Sequence, residues 1–270
     1  MHPFTLDRRT LLKAGAGALL LPAAVSAQAQ LSLSTAINRA ARFRALSQRC
    51  AKAYTQGFLN VLPEGARETL GTAQRLIQLG FDDLAKAAFS GAMARHMAAL
   101  QQEAAALNAQ LAAPPTRATI AAVAVQSDRM LAAAQAATEA LEQGAAQPTA
   151  RLVNLAGRQR MLSQRLAKNC FLVAAGLDPK PLREQSARDM AEFKQALATL
   201  SAAPISTPSI RNELALADSQ WLFFAAALDR KQSDPEGLRT VATTSERLLE
   251  VMNNLTNLYD AALKDILGST

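Results

Sequence analysis

A fifteen-residue stretch occurs twice in this chain, and that repetition constrains the fold more than any other feature. Asn38-Arg39-Ala40-Ala41-Arg42-Phe43-Arg44-Ala45-Leu46-Ser47-Gln48-Arg49-Cys50-Ala51-Lys52 aligns with Asn154-Leu155-Ala156-Gly157-Arg158-Gln159-Arg160-Met161-Leu162-Ser163-Gln164-Arg165-Leu166-Ala167-Lys168 at an offset of 116, with ten of fifteen positions identical. A second match, at offset 118, aligns Val123-Ala124-Val125-Gln126-Ser127-Asp128-Arg129-Met130-Leu131 with Val241-Ala242-Thr243-Thr244-Ser245-Glu246-Arg247-Leu248-Leu249. Two matches at nearly one offset indicate an internal duplication with a unit of about 115 residues.

Proline punctuates the intervening sequence at 63, 114, 115, 148, 179, 181, 204, 208 and 235. Between the prolines lie Ala/Leu/Gln/Glu/Arg stretches with helical spacing. They predict helices at 33–60, 65–88, 92–112, 116–144, 149–176, 181–202, 208–230 and 236–267, with a break at Phe89-Ser90-Gly91. Aromatic residues are 4% of the chain and β-branched residues are sparse, which argues against an all-β fold. The expected fold is all-α: two tandem antiparallel four-helix-bundle units, residues 30–147 and 148–270, packed as an intrachain pseudo-dimer.

The N-terminus carries Asp7-Arg8-Arg9-Thr10-Leu11-Leu12-Lys13, an apolar run over 14–21, and Val25-Ser26-Ala27-Gln28-Ala29. This pattern is a charged region, a short apolar core and an A-x-A cleavage site. Its paired arginines resemble a twin-arginine export signal, with cleavage near Ala29 and a periplasmic destination. Removal of residues 1–29 leaves 26 basic and 21 acidic residues, a net charge of +5. That surplus favours small anions or acidic surfaces as partners. The export signal argues against nucleic acid, and the short apolar run against stable membrane insertion after cleavage.

Several chemistries are excluded by count. There are two histidines, one of them at position 2, so a His-based metal site or a Ser-His-Asp triad is not expected. Two cysteines, Cys50 and Cys170, allow one disulfide at most; parallel pairing of the two repeat helices would place them about one turn apart in height, and two small core residues are the favoured reading over a disulfide. No nucleophile–base set, carboxylate pair or cofactor fingerprint stands out, so neither an enzyme nor a cofactor is expected. His96 has no assigned role.

On a helical wheel, Leu152, Leu155, Gln159, Leu162, Leu166, Cys170 and Val173 form a conventional core stripe. Arg158, Met161, Arg165, Lys168 and Asn169 form a charged flank. Between them runs a face of small and apolar residues, Val153, Ala156, Ala167 and Phe171, interrupted by Arg160 and Gln164. The first copy repeats it with Ile37, Ala40, Arg44, Gln48, Ala51 and Thr55. An arginine on such a face is partly desolvated and requires an anionic partner. Asp128 and Glu246 are the candidate internal partners. Arg42, Arg49, Arg158 and Arg165 are expected to be solvated charges that raise the local potential.

The stretch from Asn154 to Lys168 closely resembles the signature of the PilJ/NarX-type periplasmic sensor domain, found in type IV pilus methyl-accepting chemotaxis transducers and nitrate/nitrite sensor kinases. Phe193 with Leu197 and Leu200, Trp221 with Phe224, and Ser245-Glu246-Arg247-Leu248-Leu249 leading to Tyr259 extend the resemblance over 150–265; residues 35–145 carry it more weakly. The first copy departs from it: Ala41 replaces the glycine, Ala45 the methionine, and Trp221 has no counterpart. The resemblance implies an antiparallel four-helix bundle in which nitrate sits where two first helices meet, held by an arginine from each. By position those arginines are Arg160 and Arg44, with Gln164, Gln48, Arg158 and Arg42 around them. Gln159, before the arginine, is closer to the pilus-transducer form. With both copies in one chain, Arg44 is expected opposite Arg160, so that two guanidiniums repel when empty and share one anion when filled. The function implied is a sensor module for a small oxyanion, nitrate or nitrite, that signals through a membrane receptor or chemotaxis protein. The alternative is a non-catalytic helical bundle that docks on a receptor without binding a small ligand.

Overall fold

The computed structural model describes residues 33–145, 148–205, 207–230 and 234–268. The export signal and its cleavage site lie outside the described residues. Among those residues eight α-helices form: α1 Leu33–Phe58, α2 Pro63–Ala85, α3 Gly91–Leu111, α4 Arg117–Ala145, α5 Pro148–Ala174, α6 Pro179–Ser201, α7 Pro208–Leu228 and α8 Pro235–Gly268. Each lies within a few residues of its expected span.

Local chemistry explains where the helices begin. Five of the eight open on proline, whose fixed φ suits a first turn and whose missing N–H would have no intrahelical acceptor there. The Asp178 side chain accepts from Lys180 N ahead of α6, Thr207 Oγ1 from Ile210 N ahead of α7, and Asp234 Oδ1 from Glu236 N ahead of α8.

The helices pack by the same scheme in both halves. α1 lies against α2 and α4, and α3 against α4; α5 lies against α6 and α8, and α7 against α8. The fourth side of each bundle, α2 facing α3 and α6 facing α7, is the loosest. The most extensive contact in the molecule is α1 against α5, and α1 also touches α8 while α4 touches α5. The boundary at residue 147 therefore separates two helical sets that share one body.

The direction of the central pair follows from its bonds. Asn38 reaches Asn257 and Asp260, whereas Lys52 reaches Ser245, so α1 runs antiparallel to α8. Arg160 reaches Asn253 and Gln164 reaches Ser245, so α5 is antiparallel to α8 as well. Hence α1 and α5 are parallel, and both are buried on nearly every side. The arginine-bearing face is the innermost: Ile37, Ala40, Arg44, Gln48, Ala51 and Thr55, like Val153, Ala156, Gln164, Ala167 and Phe171, have no exposed surface. Leu152, Leu155 and Val173, placed on the core stripe by sequence, are only half-buried.

Two ion pairs tie the halves together reciprocally. The Lys168 ammonium lies 2.7 Å from Asp128 Oδ1, and its repeat counterpart Lys52 donates to Glu246, the counterpart of Asp128. Both lysine side chains are almost fully buried, and burial lowers their pKa values while the carboxylates act to raise them. Asp128→Asn leaves a buried ammonium without its counter-charge. The expected loss is on the order of 2 kcal/mol, less than for a fully buried pair because Asp128 is half exposed. Adding Lys168→Met should recover most of it, and urea denaturation of both variants checks the pair.

Candidate functional site

Arg44 and Arg160 meet at the crossing of α1 and α5. The backbone at the crossing is close because position 157 is glycine. A Cβ on Gly157 would lie 3.0 Å from Arg160 Nη2, 3.1 Å from the Ala41 methyl and 3.4 Å from Arg44 Nη2. Ala41 is the repeat counterpart of Gly157, so the seam has room for one methyl and Ala41 supplies it. The departure of the first copy from the glycine signature is thus complementary to the glycine in the second.

The guanidinium bonds obey the same two-fold relation. Arg44 Nη2 donates to Asn154 O at 3.2 Å, and Arg160 Nη2 to Asn38 O at 3.3 Å. Arg44 Nη1 donates to Gln135 Oε1 at 2.6 Å, and Arg160 Nη1 to Asn253 Oδ1 at 3.5 Å. Each Nε points to a carbonyl one turn back in its own helix, Ala41 O or Gly157 O. Every acceptor is neutral. Arg44 is 0% and Arg160 2% exposed, and among the described residues neither forms a salt bridge.

Asp128 and Glu246, the internal partners expected from sequence, are taken by other cations. Glu246 binds both Lys52 and Arg49, and Asp128 binds Lys168. The reason is reach: these carboxylates project from α4 and α8 at the level of Gln48 and Lys168, beyond the arginines. The flanking arginines are not the free solvated charges expected. Arg49 pairs with Glu246, Arg165 with Asp189 at 2.6 Å, and Arg158 with Glu192. Arg158 lines a cleft of about 500 Å³ between α4, α5 and α6. Arg42 is half-buried and lines a smaller cavity of about 160 Å³ between α1 and α2.

Gln48 and Gln164 are fully buried but face other duties. Gln48 Nε2 donates to Ser127 O and Asp128 Oδ1, and Gln164 Nε2 to Ser245 O. Their Oε1 atoms have no hydrogen-bond partner. An amide oxygen accepts and does not donate, so in this orientation it suits a guanidinium or water rather than an anion. Cys50 and Cys170 are free thiols, buried and pushed up to about 12 and about 11 by desolvation, so they are not nucleophilic at neutral pH.

The helical wheel singled out Arg44, Arg160, Gln48 and Gln164, but not the groups that hold the arginines. Gln135 and Asn253 are related by the same offset of 118 as Asp128 and Glu246, so the repeat carried a signal for them. The carbonyls of Asn38 and Asn154 left no trace in side-chain chemistry.

Electrostatics reflects the missing counter-charge. The Arg44 pKa is lowered to about 9, by burial first and then by Arg158, with Glu139, Glu142 and Glu192 partly offsetting both. Arg160 is held well below the ordinary arginine value by burial, then by Arg42 and Arg44, against Asp260. Arg44 is thus one of the charges that destabilise the Arg160 guanidinium, after burial and Arg42.

Residues 144–247 match the family model of the type IV pili methyl-accepting chemotaxis transducer N-terminal domain, PilJ. The match begins at the end of α4 and ends within α8, so it covers Arg160 and its helix but not α1–α3 or most of α4. No curated protein and no solved structure matches the chain. Among the described residues no helix is long and apolar enough to cross a membrane.

Two measurements test this geometry. Gly157→Ala should lower stability by about 1 kcal/mol, as overpacking at the seam exceeds the gain from removing a helical glycine. Combining it with Ala41→Gly should restore most of the loss in chemical denaturation, since the seam again holds one methyl. For Arg44, a cation whose folded pKa lies below its unfolded value destabilises the fold while charged. The penalty is full below pH 9 and fades as pH rises through that value. The stability of the protein relative to Arg44→Met should therefore climb above pH 9, by at most about 1.4 kcal/mol per pH unit. Paired urea titrations at pH 7 and pH 10 read the difference.

Proposed function

We propose that this chain is a sensor module in which two helical bundles, residues 30–147 and 148–270, form an intrachain pseudo-dimer that binds one small oxyanion between Arg44 and Arg160. The observation that carries this reading is a pair of fully buried guanidiniums, one from each repeat, that share a glycine-thin seam and have only neutral acceptors. Two such cations are costly together, and a planar anion inserted between them would replace repulsion with two charge-assisted contacts. Nitrate or nitrite is the class the reading favours. Both are small, planar and singly charged, so they would spread the seam less than larger anions.

The match of residues 144–247 to the chemotaxis-transducer domain supports a signalling role, with α1 and α5 as the moving elements. Filling the seam would change the spacing of two parallel helices whose outer surfaces carry α2, α4, α6 and α8. A receptor or chemotaxis protein that grips those outer helices would sense the change. The twin-arginine-like leader supports a periplasmic setting for that exchange.

The test is thermal unfolding of the mature chain in chloride, nitrate, nitrite and sulfate at equal ionic strength. A ligand at a hundred times its dissociation constant should add about 2.7 kcal/mol, a shift of several degrees for a chain of this size. A selective rise with nitrate or nitrite, absent in Arg44→Met and Arg160→Met, is the expected result. Equal melting in all four salts would overturn the oxyanion reading and leave a docking bundle without a small ligand.

A further inference from the structure

The two halves differ at one place where the repeat predicts likeness. α2 and α6 each have 23 residues, and α3 and α7 each have 21, so the helices can be matched position by position. In the second half, Phe193 on α6 and Trp221 on α7 stack with ring centroids 4.2 Å apart and planes 13° apart. Phe224 meets the indole edge-on at 6.2 Å, and the stack fills the space between α6 and α7. The residue matching Phe193 in α2 is Ile77, and the residue matching Trp221 in α3 is Ala104. The large rings are gone, and α2 and α3 have not closed over the gap. A cleft of about 490 Å³ lies there, with Ile77, Phe81, Ala104 and Leu107 among its walls.

The lining has also changed in polarity. Gln74 and Asn108, where the second half has Met190 and Ala225, line the same cleft and bond across it at 2.6 Å. Apolar walls combined with the side-chain amides of Gln74, Gln78, Gln101 and Asn108 favour a flat ring that carries a polar edge, since the ring takes the dispersion contacts and the amides take the edge. A cavity left where a ring is missing accepts the ring that would fill it.

From these observations we propose that the α2–α3 cleft is a binding site for a planar aromatic molecule of indole size, seated where the Trp221 side chain sits in the other half. The site is separate from Arg44 and Arg160, which lie at the α1–α5 seam. Indole itself is the probe. Titration calorimetry on the full mature chain should give one site, with affinity unchanged in Arg44→Met.

Ala104→Trp rebuilds the missing indole in place and should weaken binding at least tenfold. Ala104→Leu, a smaller filling, should weaken it in the same direction if the tryptophan variant does not fold, and circular dichroism establishes which variants are folded. No heat of binding up to millimolar indole would overturn the proposal. So would equal binding to a folded filled variant, because the ligand would then sit elsewhere.

Discussion

Two like charges buried together at the seam of two parallel helices are the constraint on which the rest of this structure depends. Arg44 and Arg160 cannot leave the seam, because their helices are covered on nearly every side by α2, α4, α6 and α8. They are not neutralised by carboxylates. Instead, each is held by a carbonyl of the opposite repeat, a side-chain amide and a carbonyl of its own helix. Such bonds fix the geometry of a guanidinium without cancelling its charge. The result is a preorganised seam in which burial depresses both pKa values, with Arg158 adding to the effect at Arg44 and Arg42 and Arg44 adding to it at Arg160.

That arrangement is tolerable only because other interactions clamp the halves. The Lys52–Glu246 and Lys168–Asp128 pairs cross from one half to the other. Asn38 to Asp260 and Asn154 to Glu142 do the same nearer the start of the central helices. Close backbone approach at Gly157 and Ala41 adds packing that a larger residue would prevent. The clamps bracket the arginines above and below, so a change of spacing at the seam would be felt by α4 and α8 directly.

The two halves differ on the sides away from the seam. At the seam the bonds come in matched pairs: Arg44 donates to Asn154 O and Arg160 to Asn38 O, and Lys52 pairs with Glu246 as Lys168 does with Asp128. Away from it, one half carries a Phe–Trp stack between α6 and α7 where the other carries isoleucine and alanine between α2 and α3. Symmetry therefore persists where it is structurally coupled and lapses where each bundle packs alone.

Eight helices, their boundaries and the all-α class were legible in the sequence, because proline placement and apolar spacing are local signals that helix formation obeys directly. The repeat exposed the paired arginines for a similar reason, as a charged residue on a small apolar face is an anomaly visible without a neighbour. Counter-charges were not legible. Asp128 and Glu246 looked like partners for the arginines, and Arg158 and Arg165 looked solvated, because sequence fixes which residues share a face but not how far along a neighbouring helix each side chain can reach. Register between helices and the crossing point at Gly157 decided that the carboxylates fall to lysines and Arg49, and that the guanidiniums are left with neutral acceptors. Those are distances across helix pairs far apart in the chain, and only the packed structure sets them.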